Sequence, residues 1–327
     1  MSIGHQIDQL RRQIALNAPA YLLVDPILGD IATAPDRARY WGRPIHVIDL
    51  PFQNPIGEDQ RPYLVGLEGI DDPWLALSLE MAQEACQQSW KDGLAGAGRS
   101  AWPVGGWIQT TLPPSSLARQ LGVWCQLKTK SFTTARYLRL CDSRVLDLCR
   151  HIFGNSTLSA LLGRVSHWNY LDAQGQLCTL SAHAATERST AEPANWHWSP
   201  TSWPEFDHAS WKALQSGLLI HPAMARAYGQ RLMDGSNEAF DREHVRAWIA
   251  AAATARPPAH LSGHWQTDED QITALALDLL HPGWQTHHQV QAWLTAQSPR
   301  TSEASLHELG PELHAHLVAL MAGATAA

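Results

Sequence analysis

Three charged side chains are the strongest candidates for chemistry in this sequence, because they stand within six residues of one another. Arg139, Asp142 and Arg144 lie in the segment RYLRLCDSRVLDLCRHIF, residues 136–153. In such a group the carboxylate can take part in proton transfer or anchor a backbone turn. The two arginines can instead donate hydrogen bonds to an acidic partner. Which of the three roles applies depends on the strand or helix in which each side chain lies.

Histidines in the last third of the chain are a second candidate, for a metal site. Five of them lie close together in sequence: His260, His264, His281, His287 and His288. Adjacent residues on a helix point about 100° apart, and the sequence contains no HExxH pattern with matching carboxylates. We therefore expect these histidines, and the HAH sequence at 314–316, to lie on solvated helix faces.

Two glycine-rich stretches lack the neighbours that phosphate binding requires. GLAGAG begins at residue 93 and VGGW at residue 104, and neither leads into the Gly-Lys-Ser/Thr sequence of a phosphate-binding loop. GLAGAG also follows a helical pattern, whereas a dinucleotide-binding turn stands between a strand and a helix. The sequence predicts flexible loops at both places and no cofactor.

The elements around the charged segment explain its aspartate. In RYLRL, residues 136–140, polar and apolar positions alternate as in a half-buried strand. From Val145 onward, apolar residues recur with helical spacing. Asp142 then stands at the helix N-cap, where a carboxylate accepts hydrogen bonds from backbone N–H groups two or three residues further on. The sequence predicts Asp142 as a structural cap.

Arg144 needs a separate explanation, because a cation in the first helical turn opposes the helix dipole. An internal partner would be Asp142 or Asp147. Alternatively, Arg139 and Arg144 present their donors to an acidic or carbonyl-rich partner surface. The sequence leaves both alternatives open.

The composition disfavours several classes of function. The formal charge of the 327 residues is -7, and no basic stripe is present, which argues against general nucleic-acid binding. No apolar stretch reaches the roughly 18 residues of a membrane span, and the first residues do not resemble a signal peptide. Five cysteines without a CxxC pair favour buried thiols. We expect a cytoplasmic protein with neither nucleic acid nor membrane as a partner.

The distribution of elements predicts an α+β protein. Strand-like and helical segments interleave in the first half of the chain, and a hairpin with its turn at Asp172 to Gly175 closes that region. Periodicity is then lost, and helices alone follow. We predict a mixed-sheet α/β domain at 1–185, a linker at 186–204 and an all-helical domain at 205–327.

Five short motifs occur in an order that resembles the type VI secretion effector adaptors, also called effector chaperones. The motifs are YLLVD (21–25), PYLVGL (62–67), GGWIQTTLPPSSLARQL (105–121), LRLCDSRVL (138–146) and LLGRVSHWNYLDAQGQL (161–177). In the fourth motif Ser143 replaces a proline of the family pattern, and Leu140 with Cys141 replace an aromatic pair. The resemblance spans roughly residues 20 to 180.

The resemblance implies a non-enzymatic role in the cytoplasm. Adaptors of this family hold a toxin effector and load it onto the spike protein of the secretion apparatus, and many carry a helical region after the shared domain. We expect the effector's N-terminal delivery region to be the bound part. Because tryptophan and arginine dominate many interfaces, the expected contact residues are Trp107, Arg139, Arg144, Trp168, Trp196, Trp198 and Trp203.

Two further functions remain open. One is a metal-dependent hydrolase that uses the histidines of the helical domain. The other is an immunity protein, which would bind the toxin's catalytic domain instead of its delivery region. Bound metal would favour the first, and binding to fragments of a toxin would separate the second from an adaptor.

Overall fold

The structure is a computed structural model, and the part of the chain that it describes has several gaps. It describes residues 3–14, 18–29, 31, 42–50, 56–96, 101–127, 136–182, 208–236, 238–253, 267–296 and 305–325. The chain divides into two units, Met1–Gln88 with Ser100–Ser210, and Ser89–Arg99 with Trp211–Ala327. The predicted linker at 186–204 lies outside the described residues.

Eight strands are present in the described part of the first unit. They are β1 (Ala20–Val24), β2 (Ile45–Val47), β3 (Tyr63–Leu67), β4 (Val104–Thr110), β5 (Gln126–Leu127), β6 (Arg136–Tyr137), β7 (Val165–Leu171) and β8 (Leu177–Ser181). Six of them form one sheet in the order β2-β3-β1-β4-β7-β8, and β5 pairs with β6 separately. The hairpin predicted around Asp172 to Gly175 is confirmed as the β7–β8 connection.

The α+β class is confirmed, and every ladder between the described strands is antiparallel. β3 and β4 are both antiparallel to β1, so these two strands run in the same direction. The long helix α2 (Pro73–Ala95) connects them. Because β1 lies between β3 and β4, the crossover is a split βαβ unit, and the expected mixed sheet contains no parallel pair among these strands.

Helices cover both faces of this sheet. Besides α2 they are α1 (Ile3–Gln13), α3 (Pro114–Trp124), α4 (Ser143–Phe153) and α5 (Asn155–Leu161). On one face, Leu22 and Trp107 belong to a buried cluster with Leu10 of α1 and Leu79 of α2. On the other face, Trp168 stacks on Trp124 at the end of α3, with ring centroids 6.2 Å apart. Because helices cover both sides of the sheet, every residue of β1 and β4 is buried.

The second unit is helical in its described part. Its helices are α7 (Gly217–Met233), α8 (Arg242–Ala252), α9 (Asp268–Leu280), α10 (His288–Ala296) and α11 (Leu306–Thr325), and α6 (His208–Gln215) precedes them. Both α7 and α11 pack against α9, which begins with a reciprocal capping box between Thr267 and Asp270. No helix of the described residues combines the length and the apolarity that crossing a bilayer requires.

Part of GLAGAG belongs to this helical packing, although the sequence predicts a loop there. Residues 93 to 95 form the last turn of α2, and Gly93 packs against α7. A Cβ atom on Gly93 would lie 2.8 Å from the backbone nitrogen of Arg226. Gly229 of α7 makes the reciprocal approach, because its Cβ would lie 2.8 Å from the carbonyl oxygen of Trp90. Both glycines therefore permit two helices to cross closely.

VGGW is also part of a regular element, β4, and its glycines bring the charged segment against the sheet. A Cβ atom on Gly105 would lie 2.2 Å from the carbonyl oxygen of Cys141 and 2.9 Å from Leu23. Gly106 has a φ of 132°, which side chains rarely permit. The Trp168 indole donates a hydrogen bond to the Gly105 carbonyl oxygen at 3.2 Å. The residue before Asp142 is thus packed directly on β4.

We expect Gly105→Ala to lower the free energy of unfolding by about 2 kcal/mol or more, because the added methyl group must displace the backbone at Cys141. Gly66→Ala in β3 is the matched control, since a Cβ atom there meets nothing within 4 Å. Urea denaturation followed by circular dichroism measures both variants. Equal losses for the two would contradict the close approach.

Candidate functional site

The charged segment forms an ionic network of four residues, which we call the charged corner: Asp25, Arg139, Asp142 and Arg144. Asp25 directly follows β1, and Arg139 and Asp142 lie between β6 and α4. Arg144 occupies the first turn of α4. The corner therefore joins two parts of the chain that are more than a hundred residues apart in sequence.

Asp25 is the buried anchor of the charged corner. Its side chain is fully buried and accepts a hydrogen bond from Nε of Arg139 at 2.7 Å. It also accepts from the backbone N–H of Ile27 at 3.2 Å, which caps a short 3₁₀ turn. Burial raises the pKa of Asp25, and the Arg139 guanidinium opposes that rise. The ionised carboxylate consequently depends on Arg139.

Asp142 caps α4, as the sequence predicts. Its Oδ1 atom accepts from the backbone N–H of Arg144 at 3.0 Å. The Arg144 side chain also binds the same carboxylate with two donors, Nε at 3.0 Å and Nη2 at 2.8 Å. Nη1 of Arg139 approaches Oδ2 of Asp142 at 3.4 Å. Of the two internal partners considered for Arg144, Asp142 is therefore the one that binds it.

Trp102 completes the support of Arg144. The guanidinium carbon of Arg144 lies 5.1 Å from the centroid of the Trp102 ring, a cation–π distance. The Trp102 indole donates to the Ser143 hydroxyl at 2.6 Å. Ser143, which departs from the adaptor pattern, thus supplies an acceptor that proline lacks.

The charges of the corner cancel, because two aspartates oppose two arginines. Only 18% of the Arg139 side chain and 11% of the Arg144 side chain are exposed. The arrangement has strong internal pairing and a narrow cationic edge at the surface. It can fix the backbone around the start of α4 and orient a carboxylate or carbonyl group that reaches this edge.

The tryptophans predicted from the sequence as partner contacts divide into two groups. Trp107 and Trp168 are each 1% exposed, and their indole N–H groups donate to Ser78 Oγ and to the Gly105 carbonyl oxygen. Because both rings are enclosed in the core, their burial conflicts with the prediction of direct partner contact. The prediction for Trp196, Trp198 and Trp203 falls on residues outside those described.

A second polar cluster lies beneath α4 and was not anticipated as a unit. Asp147 pairs with Nη2 of Arg150 at 2.7 Å, and the Tyr170 hydroxyl donates to Asp147 at 3.4 Å. The Arg150 guanidinium also lies 5.6 Å from the centroid of the Tyr170 ring. Asp147 is thus engaged away from Arg144. The sequence carried a signal for the pair, since Asp147 and Arg150 stand three residues apart on a helix.

Asp172 extends this buried cluster into the β7–β8 hairpin. Its Oδ1 atom accepts from the backbone N–H groups of Gln174 and Gln176, each at 2.9 Å. The Cys178 thiol donates to Oδ2 at 3.4 Å. Burial raises the pKa of Asp172 to about 6, and the Asp147 carboxylate adds to the rise. The hydrogen bonds of the turn therefore hold the Asp172 carboxyl group in a buried place, where its ionisation is unfavourable.

Two of the histidines expected on solvated faces belong instead to a hydrogen-bonded chain in the second unit. His314 is buried, and its Nε2 and Asp234 Oδ2 are 3.0 Å apart. Its Nδ1 lies 3.0 Å from Nε2 of His281. Burial lowers the pKa of His281 to about 4, and His314 adds to the effect. The contact with Asp234, directly after α7, therefore buries a histidine of α11 that the sequence predicts in solvent.

The remaining histidines do not bring metal ligands together in the described part of the chain. His287 and His288 are exposed, and their rings stack on each other with centroids 5.3 Å apart. Within the described ranges, no group of three or more His, Cys, Asp or Glu side chains is placed to hold a metal ion. His260 and His264 lie outside those ranges.

We expect Arg139→Gln to lower the free energy of unfolding by about 3 kcal/mol, because the Asp25 carboxylate would remain buried without its cation. The loss should be smaller at pH 5 than at pH 8, since the pKa of Asp25 is already raised and a proton can neutralise it at lower pH. Denaturation at both pH values tests this. Arg119→Gln, at an exposed position of α3, is the control, and a loss independent of pH would contradict the role of Asp25.

We expect Asp172→Asn to stabilise the protein at pH 8 by about 1 to 2 kcal/mol and to have little effect near pH 4. The folded-state pKa of about 6 exceeds the usual value of 3.8, so the native carboxyl group lowers stability as pH rises through this interval. Asparagine keeps an oxygen for the two turn N–H groups. Thermal unfolding across this pH range is the measurement, and a variant less stable than the native protein at pH 8 would refute the expectation.

The chain matches no protein-family model, and no curated protein or solved structure matches it either. The resemblance to effector adaptors consequently depends on the five ordered motifs alone, and the structure shows only where those motifs lie in this fold. Those places are β1, β3, β4 with α3, the charged corner, and the β7–β8 hairpin.

Proposed function

We propose that this protein is a cytoplasmic adaptor that binds a type VI secretion toxin effector and loads it onto the spike protein of the secretion apparatus. The observation that carries the proposal is the contact between the first and fourth motifs. Asp25 ends YLLVD, and Arg139 stands in LRLCDSRVL, and the two side chains are joined at 2.7 Å. Residues of two separate motifs thus meet in one buried interaction.

The positions of the other motifs give further support. β3, β1, β4, β7 and β8 are consecutive neighbours in the sheet, and each contains part of a motif. The GGW motif also supplies Gly105, on which the Cys141 carbonyl packs. Here the motifs form one contiguous framework around the charged corner.

In this proposal the corner acts by position and performs no bond-making or bond-breaking step. Asp25 occupies Nε of Arg139, and Asp142 occupies Nε and Nη2 of Arg144. The exposed edges of the two arginines would orient a carboxylate or carbonyl group in the N-terminal delivery region of the effector, while apolar contacts elsewhere provide most of the affinity. A rigid framework also lowers the entropic cost of binding. Neither nucleic acid nor a membrane is a partner in this role.

Affinity purification from the native strain tests the proposal. We expect the tagged protein to recover a toxin effector and a secretion spike protein, identified by mass spectrometry. Arg144→Gln should reduce recovery of the effector several-fold, because it removes the charge at the exposed edge, whereas Arg119→Gln on α3 should leave recovery unchanged. Circular dichroism establishes that both variants are folded.

Different outcomes would assign different functions. Recovery of neither secretion protein would overturn the adaptor proposal. Binding to a catalytic fragment of the toxin, with none to its N-terminal fragment, would indicate an immunity protein. One tightly bound zinc ion per chain, measured on the purified protein, would favour a metal-dependent hydrolase that uses the histidines of the second unit.

A further inference from the structure

Two of the five cysteines are in contact beside the charged corner. All five are free and buried, and the Sγ atoms of Cys125 and Cys141 lie 3.9 Å apart. Cys125 ends α3, and Cys141 directly precedes Asp142, the cap of α4. The Asp25 carboxylate and the Arg139 guanidinium act on the Cys141 thiol electrostatically. The pair of thiols therefore lies at the junction between α3 and the charged corner.

Backbone hydrogen bonds hold the two cysteines at this junction. Beside the β5–β6 ladder, the N–H group of Leu138 donates to the Cys125 carbonyl oxygen at 2.8 Å. The N–H group of Leu140 then donates to the Leu138 carbonyl oxygen at 2.8 Å, which turns the chain back. The Cys141 carbonyl oxygen packs against Gly105 of β4. The backbone thus fixes the place of Cys141 independently of its sulfur atom.

The separation of the two sulfur atoms is short enough for a disulfide to form. Bonded sulfur atoms are about 2.05 Å apart, so the gap of 3.9 Å between Cys125 and Cys141 must close by about 1.9 Å. Rotation of either side chain about its Cα–Cβ bond, from one staggered position to the next, covers a larger distance than this. The native fold therefore brings these two thiols within reach of disulfide formation.

The surroundings of the pair make its oxidation slow. The hydrogen bond with Cys125 and burial raise the pKa of the Cys141 thiol, and Arg139 opposes the rise. Because the attacking species is a thiolate, the reaction requires a local opening that admits water and the oxidant. The β5–β6 ladder has two residue pairs, and a ladder this short is marginally stable by itself. Since Cys125 directly precedes this ladder, it is the thiol that such an opening reaches first.

We propose that Cys125 and Cys141 form a redox-sensitive clasp, a reversible disulfide that a small disulfide such as oxidised glutathione introduces. The Cys125 thiolate attacks one sulfur atom of the oxidant, which forms a mixed disulfide and releases one thiolate. The Cys141 thiolate then attacks the Cys125 sulfur, and the second half of the oxidant leaves. The two protein thiols lose two electrons, the oxidant gains them, and the two released thiolates take up the two protons.

The clasp would tie the segment that carries Arg139 and Asp142 to the end of α3. In the reduced protein, hydrogen bonds and the ion pair with Asp25 hold this segment. A covalent ring between residues 125 and 141 also lowers the conformational entropy of the unfolded chain. We expect oxidation to lower the equilibrium constant for unfolding at least about tenfold. This inference goes beyond the proposed function and does not rest on it, because it concerns the chain alone.

Peptide mapping of the native full-length chain tests the clasp directly. Trypsin separates the two thiols, since Cys125 falls in residues 120–128 and Cys141 in residues 140–144. The protein is incubated in native buffer with excess oxidised glutathione, the remaining thiols are alkylated in urea, and the digest is analysed by mass spectrometry without reductant. We expect the two peptides to be joined, with a mass lower than their sum by two hydrogen atoms, and Cys149 to be alkylated.

Three results of this mapping would overturn the clasp. The first is that Cys125 and Cys141 both remain open to alkylation after treatment with the oxidant. The second is that each cysteine retains its own glutathione as a mixed disulfide. The third is that the joined peptides form only when oxidation is carried out in urea, since the reaction would then belong to the unfolded chain.

Urea denaturation of the oxidised and the reduced protein measures the effect on stability. Cys125→Ala should abolish the difference between the two forms, whereas Cys149→Ala, which removes another buried thiol, should preserve it. An oxidised native chain that is no more stable than the reduced one, or a difference that persists in Cys125→Ala, would contradict the proposal. If Cys125→Ala does not fold, the same comparison with Cys141→Ala and the peptide map of the native chain decide.

Discussion

The buried pair of Asp25 and Arg139 is the interaction on which the candidate site depends. A fully buried carboxylate is tolerated only with a cation and further hydrogen-bond donors beside it, and Arg139 and the Ile27 N–H group provide them. Because Asp25 ends β1, this requirement fixes the segment before α4 relative to the centre of the sheet. Asp142 then holds the Arg144 guanidinium by hydrogen bonds, and that guanidinium lies over the Trp102 ring.

Short-range patterns in the sequence were sufficient for the features that depend on a few neighbouring residues. The α+β class, the cap at Asp142 and the turn between Asp172 and Gly175 each follow from local spacing, and the structure has all three. The pairing of Asp25 with Arg139 joins residues 114 apart. No local pattern encodes such a contact, so the sequence alone left the partner of Arg139 undecided.

Two of the predictions that disagree with the structure have a common physical cause, which is burial from a second side. Trp107 was expected to contact a partner, but helices cover both faces of the sheet and enclose it. His314 was expected in solvent, but Asp234 and His281 bind it. The alternation or periodicity of apolar residues along a strand or helix identifies the face that packs on the core. It does not report whether another element covers the opposite face.

The passage of α2 from one unit to the other has a consequence for how the protein can be divided. Its last turns, from Ser89 onward, belong with the C-terminal helices, where Gly93 packs on α7 and Gly229 packs on Trp90. A fragment that starts after the first unit would lack this internal segment and expose the glycine-lined side of α7. The C-terminal helices alone therefore do not make up the whole of the second unit, because Ser89–Arg99 belongs to it as well.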